Sequence, residues 1–296
     1  MSNITPRVDI AFKKIFGVEE NKDLLISLIN SIVGIEDQVS EVTLLNPYNA
    51  KNFKQDKLSI LDIKAKNQDG KRFNIEIQIS DEADYEKRAL YYWARVYTEQ
   101  LKSSEDYSKL SKAIGIHILN FTSIFGEQKY HNVFHLKEKD TNLLYFKDLE
   151  LHTIELKKFS DNSDEELADI VIKVKNALDM WLAFLTRNDL LIADNLPKEL
   201  NDPTLKKAIE VLEVMNFSEE ERDTYEDRLK WLRIEANTLK NYEQKGLEKG
   251  LEKGREEGRE EGKIEIAKTM LLDGESIEKI IKFTKLTKEE IGALKL

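Results

Sequence analysis

Residues 60–79 read Ile-Leu-Asp-Ile-Lys-Ala-Lys-Asn-Gln-Asp-Gly-Lys-Arg-Phe-Asn-Ile-Glu-Ile-Gln-Ile, and how this stretch turns back on itself decides the rest. Both halves alternate with period two, the pattern of a strand with one apolar and one polar face. In the first half Leu61, Ile63 and Ala65 share one face, Asp62 and Lys64 the other. In the second, Phe73, Ile75, Ile77 and Ile79 lie opposite Asn74, Glu76 and Gln78. The turn determines whether the two polar faces coincide. A two-residue Asp69-Gly70 loop sets Asp62 against Ile77, so a polar row would run beside an apolar one. A three-residue Gln68-Asp69-Gly70 loop, a type I turn closed by a left-handed glycine, sets Asp62 against Glu76, Lys64 against Asn74 and Ile60 against Gln78. The second register is predicted. Residues directly opposed in a ladder share a face, with Cβ atoms about 4.5–5.5 Å apart.

Two carboxylates facing each other in this way repel unless a proton or a cation lies between them. Hard oxygen ligands with no Cys and no nearby His suit Mg²⁺ or Mn²⁺. Such a cation lowers the pKa of water and polarises a phosphoryl oxygen. The plainer alternative is a solvent-facing strand surface on which both acids are simply hydrated. Spacing alone leaves both open.

Outward from the hairpin, the pattern predicts a mixed α/β sheet with helices packed on it. Upstream, Asn21 to Val33 is an amphipathic helix with Leu24, Leu25, Leu28, Ile29 and Ile32 at helical spacing, stopped by Gly34. Glu41 to Tyr48 is a short strand. Downstream, residues 82–101 form a helix expected to present Leu90, Trp93, Ala94, Tyr97 and Leu101 on one face. Ala113 to Phe121 is a buried strand, and residues 130–137 and 143–158 are further strands.

The 296 residues hold no Cys, which excludes disulfide scaffolds, zinc-thiolate fingers, iron–sulfur clusters and cysteine nucleophiles. Hydrophobic content of 41% is too high for a disordered chain. The net charge of −10 argues at first against a nucleic-acid partner. It is unevenly spread, however. Residues 1–159 carry 23 basic and 24 acidic side chains; residues 160–296 carry 23 and 32. Residues 51–72 hold seven basic against three acidic, a local excess around the polar strands that could hold phosphates or simply be solvated. The N-terminus shows no apolar stretch followed by a cleavage site, and no run of 18 apolar residues occurs, so a cytoplasmic protein with no membrane partner is expected. No glycine-rich phosphate loop appears, so no nucleotide cofactor is expected.

Four segments together resemble a known family: Asp9-Ile10-Ala11-Phe12-Lys13-Lys14-Ile15-Phe16-Gly17; Leu61-Asp62-Ile63 with Asn74-Ile75-Glu76-Ile77-Gln78; Arg88-Ala89-Leu90-Tyr91-Tyr92-Trp93; and the tail rich in Glu-Lys-Gly and Glu-Glu-Gly. They resemble the recombination-promoting nuclease (Rpn), transposase-associated branch of the PD-(D/E)xK nuclease superfamily. The resemblance implies a restriction-endonuclease-like mixed sheet core flanked by helices, and Mg²⁺-dependent (or Mn²⁺-dependent) endonucleolytic cleavage of DNA. It further implies that Asp62, Glu76 and the Ile77 carbonyl ligate the metal and that Gln78 holds the attacking water. Gln stands where the superfamily has Lys and cannot supply its positive charge. Either the metal alone compensates, or Lys64 on the same face supplies it. Asp9 fits the family's N-terminal acidic position or, equally, a helix N-cap. Lys13, Lys14, Lys66, Arg72, Arg88 and Arg95 are the candidate DNA contacts. The rival to an endonuclease is a weak or inactive nuclease-fold module for DNA binding or oligomeric protein interaction.

The four histidines, His117, His131, His135 and His152, are expected to be structural, since no third ligand accompanies His131 and His135. Domains are expected at 1–159 (nuclease core), 160–242 (acidic helices), 243–263 (charged glycine-repeat helix or linker) and 264–296 (a small helix-turn-helix-like unit). In the third segment Gly246, Gly250, Gly254, Gly258 and Gly262 recur every four residues. This stripe winds about 40° per step around a 3.6-residue helix. It reads either as a solvated linker helix or as a close helix–helix contact making a homodimer. In the last segment Gly274 breaks one helix, Ser276 caps the next and Thr287 a third.

Overall fold

The computed structural model describes residues 4–46, 63–80, 84–161 and 164–294. They divide into two units, Met1–Leu232 and Arg233–Leu296. In the first unit, strands β1 (Val42–Leu44), β2 (Ile63–Asn67), β3 (Arg72–Gln78), β4 (Ala113–Leu119), β5 (His131–Lys137) and β6 (Leu144–Glu155) form one mixed sheet in the order β1-β2-β3-β4-β6-β5. β1, β2 and β3 pair antiparallel, as do β5 and β6, while β4 runs parallel to both β3 and β6. Parallel neighbours need a crossover, and helix α3 (Tyr85–Thr98) supplies it between β3 and β4.

Every residue of β4, Ala-Ile-Gly-Ile-His-Ile-Leu, is buried, as its near-continuous apolar run requires of a strand covered on both faces. One face carries Ile114, Ile116 and Ile118 into a single hydrophobic core with Ile63, Phe73, Ile75 and Ile77 of the hairpin. Helices α1 (Asp9–Phe16) and α2 (Lys22–Ile32) close this core with Phe12, Phe16, Leu24 and Leu28. Helix α4 (Leu156–Phe159) adds Leu156 and Phe159, and α5 (Leu167–Lys173) adds Ile170. Helix α6 (Ala177–Arg187) brings Trp181 and Phe184, and α7 (Pro203–Glu213) brings Leu205 and Ile209. The Phe16 and Trp181 rings meet edge-on at 5.3 Å, so helices beyond residue 160 are built into the same core as the sheet. Residues 168–185, apolar-periodic throughout, split into two helices because Asn176 is extended and caps α6, accepting from the Asp179 N–H.

The other face of the sheet lies under α3. Tyr85 and Ala89 pack on Leu119 and Phe121; Trp93 and Val96 pack on Ala113. The Trp93 indole N–H donates to the Ala113 carbonyl at 2.8 Å. The buried face is therefore Tyr85, Ala89, Trp93 and Val96, not the Leu90-centred face expected from sequence, and Leu90 is 49% exposed. Both faces contain Trp93 at helical spacing. A step from 89 to 90 turns the helix by 100°, and the residues β4 offers decide between them.

The start of helix α8 (Glu219–Leu272) belongs to this unit: the Thr5 N–H donates to the Tyr225 hydroxyl, and Val8, Ile10 and Ala11 of the N-terminal segment pack with Tyr225 and with Ile79 just past β3. In the second unit α8 continues through the glycine repeat, where a Cβ added at Gly250, Gly254, Gly258 or Gly262 would meet nothing within 4 Å. Gly274 then turns the chain at φ +76°, and α9 (Ile277–Thr284) and α10 (Lys288–Ala293) follow, capped by Ser276 and by a Thr287/Glu290 capping box. Ala267, Ile280, Leu286 and Ile291 make a small core of their own. No helix among the described residues is long and apolar enough to cross a membrane.

Candidate functional site

The β2–β3 hairpin adopts the three-residue turn. Gly70 sits at φ +83°, a conformation natural to glycine, and its N–H donates to the Asn67 carbonyl at 3.1 Å. The Asn67 side-chain oxygen accepts from the Asp69 and Lys71 N–H groups at 3.0 and 2.9 Å and braces the loop. Ile63 pairs with Ile75, Lys64 with Asn74, Ala65 with Phe73 and Lys66 with Arg72, the register predicted for the described part of the ladder. Lys64, Asn74, Glu76 and Gln78 thus share the polar face of the sheet, and Asp62 lies outside the described residues.

Glu76 is half-buried; its Oε1 accepts from the Asn74 amide at 2.8 Å. The Gln78 amide donates to the Ser80 carbonyl at 3.2 Å. The Gln78 carbonyl accepts from the Asn120 N–H on the β4 side at 2.9 Å. Carbonyls alternate along a strand, so that of Ile77 points to the opposite side, toward β2. The Lys64 ammonium lies 3.6 Å from the Glu99 carboxylate at the C-terminal end of α3, and Arg95 pairs with the same Glu99 at 3.0 Å. Among the described residues no group of three or more His, Asp or Glu side chains has the geometry of a metal site.

Asp9 is the first residue of α1; Val8 occupies the cap position. The Asp9 carboxylate is buried, accepts from the Ile10 N–H at 2.8 Å and meets the Arg228 guanidinium at 3.3 Å. Burial raises its pKa against the opposing pull of Arg228. Lys13 is enclosed at 2% exposure and engaged within the fold. Lys14 donates to the Asn216 carbonyl and pairs with Glu221 at 2.9 Å, tethering α1 to the start of α8. Lys66 and Arg72 face each other across the hairpin, half-buried. Arg88 is half-buried beside Tyr85 and His117.

Sequence reasoning missed what stands beside Glu76. The parallel register sets His117 of β4 directly next to it, with Thr153 of β6 beyond His117 in the same row. His117 is 1% exposed and its Nδ1 is 4.0 Å from Glu76 Oε2. Burial, with Arg88 and His152 nearby, lowers its pKa to about 4, so the ring is neutral at pH 7. The Tyr85 ring stands edge-on to the imidazole at 5.9 Å, and burial and then Glu76 push the Tyr85 hydroxyl pKa upward. Gly115 leaves the space: a Cβ there would approach His117 Nε2 to 3.1 Å and a Leu151 methyl to 2.7 Å. The available signal was a histidine inside an otherwise apolar strand. Without a turn to fix the register, its neighbour was not readable.

His131 on the edge strand β5 and His152 on β6 form a second network with Glu150. His131 Nε2 is 2.9 Å from His152 Nδ1, and His152 Nε2 is 2.7 Å from Glu150 Oε1. Lys112 bridges Glu150 and Asp37 at 2.8 and 2.5 Å.

A mixed six-stranded sheet with a β-hairpin, a crossover helix and a polar face at the C-terminal end of β3 defines the restriction-endonuclease-like class of α/β fold. The model of the PD-(D/E)XK nuclease family transposases matches residues 6–242, and the chain belongs to that family. The match spans the whole six-stranded sheet and the helices that share its large core. No curated protein and no solved structure matches the chain.

Proposed function

We propose that this member of the nuclease family is a metal-dependent DNA endonuclease with a transposase-associated role. The observation that carries the proposal is the hairpin register: it gathers Lys64, Asn74, Glu76 and Gln78 on one polar face, in a chain whose family is one of nucleases. In this reading Asp62, Glu76 and the Ile77 carbonyl hold Mg²⁺ or Mn²⁺. Those donors are all hard oxygens, a set that suits such a cation. When bound, the cation activates water and neutralises charge on the phosphoryl group. Asn74 holds one oxygen of the Glu76 carboxylate, Oε1. Gln78 orients the attacking water through its amide, and Lys64 supplies positive charge once it exchanges Glu99 for phosphate. In the same reading Lys66, Arg72, Arg88 and Arg95 contact the DNA backbone.

Plasmid nicking in Mg²⁺ or Mn²⁺ tests this directly. Wild type nicks, and Asp62→Ala loses at least about 100-fold, more than 2.7 kcal/mol of transition-state stabilisation at 1.36 kcal/mol per decade. Equal nicking by the two proteins sinks the assignment.

One observation favours the rival, a weak or inactive DNA-binding or oligomeric module. Lys64 is drawn to Glu99, and Gln78 brings no charge in place of the superfamily lysine. Calorimetric Mn²⁺ titration of wild type and Glu76→Gln separates the readings, since the rival needs no Glu76-dependent binding.

A further inference from the structure

A buried imidazole with both ring nitrogens unsatisfied is costly, because each desolvated polar atom without a partner forfeits a hydrogen bond to water. His117 is such a group: neither Nδ1 nor Nε2 has a hydrogen-bond partner among the described residues. It stands in the row Glu76–His117–Thr153, where the Thr153 hydroxyl is also buried and without a partner among the described residues. Glu76 Oε2 is an acceptor 4.0 Å from Nδ1. That separation is about 1 Å beyond a hydrogen bond. Rotation about the soft terminal torsion of a glutamate covers such a distance. The other carboxylate oxygen, Oε1, is already held by Asn74.

We propose that His117 is a positioning residue, donating its Nδ1–H to Glu76 Oε2 so that, with Asn74 on Oε1, it fixes the plane of the Glu76 carboxylate. The carboxylate selects the Nδ1–H tautomer of the ring, leaving Nε2 toward the space kept by Gly115. Tyr85, edge-on, restrains the ring plane. Both contacts come from the sheet itself, from the same strand and the next one, so they are rigid supports of the kind that orient ligating carboxylates. The consequence for cation binding rests on the reading of Glu76 as a metal ligand; the hydrogen bond does not.

The test has two arms on the full chain. In the first, ¹H–¹⁵N NMR of the metal-free protein reads the His117 tautomer in wild type and in Glu76→Gln. An Nδ1–H that shifts in Glu76→Gln supports the proposal; an Nε2–H tautomer, or a signal indifferent to Glu76, overturns it. In the second, Mn²⁺ affinity and Tm are measured for three variants. His117→Leu is expected to weaken Mn²⁺ binding about 10–100-fold. His117→Asn, whose amide nitrogen falls near the place of Nδ1, restores it to within a few-fold, and His117→Gln, which reaches toward Nε2, does not. Wild-type affinity in a folded His117→Leu, with binding still lost in Glu76→Gln, overturns the positioning role and leaves Glu76 a ligand. An Nδ1–H bond to Glu76 in a protein whose Mn²⁺ binding ignores Glu76 supports the pairing and rejects Glu76 as a ligand.

Discussion

At the residue level, the network around Glu150 makes a prediction about stability against pH. Burial, with His152 and Lys129 beside it, lowers the His131 pKa to about 4, whereas an unfolded histidine titrates near 6.5. Between those values the unfolded chain binds a proton that the folded chain refuses, so stability falls as pH drops through that window. Glu150 acts at lower pH. Burial raises its pKa, but hydrogen bonds from His152 and Lys112 outweigh that and hold it at about 2. Its contribution is full above the ordinary glutamate value and is lost as pH falls toward 2. Tm is therefore expected to decline from pH 7 to pH 4, and further below. His131→Gln, which keeps a hydrogen-bonding group toward His152 but does not titrate, should make the first part of that decline shallower, the remainder coming from His117, whose pKa is also lowered to about 4. An unchanged slope between pH 6.5 and pH 4 would show that His131 is not its source. None of this was legible in the sequence. His131 and His152 are 21 positions apart, and the antiparallel β5–β6 pairing that brings them to 2.9 Å contains a register irregularity at His135–Lys137.

Among the elements, the hairpin shows what a sequence can specify about a site. Its register was readable because the turn is local: Asn67, Asp69 and Gly70 encode a three-residue loop, and alternation does the rest. Gly70 carries much of that information. At φ +83° a Cβ is strained, and it would also approach the Ser111 hydroxyl to 3.1 Å. Gly70→Ala is expected to destabilise the protein by about 1–2 kcal/mol, measured by urea denaturation. A stabilised Gly70→Ala would mean the turn is not the one described. By contrast, the β3–β4 pairing passes through a crossover helix, and no local residue sets its register. That is why Glu76 and Gln78 could be named from sequence as a polar row while His117 beside Glu76 was read only as a core residue. The α3 face failed for the same kind of reason. Helical periodicity gives a stripe, but which of two stripes sharing Trp93 is buried depends on Leu119, Phe121 and Ala113 beneath it.

Across the whole molecule, charge and packing divide the chain differently. By charge the break falls near residue 160, with 23 basic against 24 acidic side chains before it and 23 against 32 after. By packing there is no break there. Trp181, Phe184, Leu205 and Ile209 lie in one core with Phe12, Phe16, Phe73 and Ile116. Lys14 and Asp9 of α1 are held by Glu221 and Arg228 of α8. The acidic helices are thus structural partners of the sheet. Residues 160–212 also supply much of the cover over α1 and α2, and each large apolar side chain stripped of that cover costs about 1.5–3 kcal/mol, against a typical total stability of about 5–15 kcal/mol. A fragment ending at residue 159 is therefore expected to show no cooperative thermal transition, while one ending at residue 232 unfolds cooperatively. Trp181→Ala in the full chain should cost about 3–5 kcal/mol. Differential scanning calorimetry of the two fragments decides the matter: a cooperative transition in residues 1–159 alone would show that the sheet and its first helices hold a core without the acidic half.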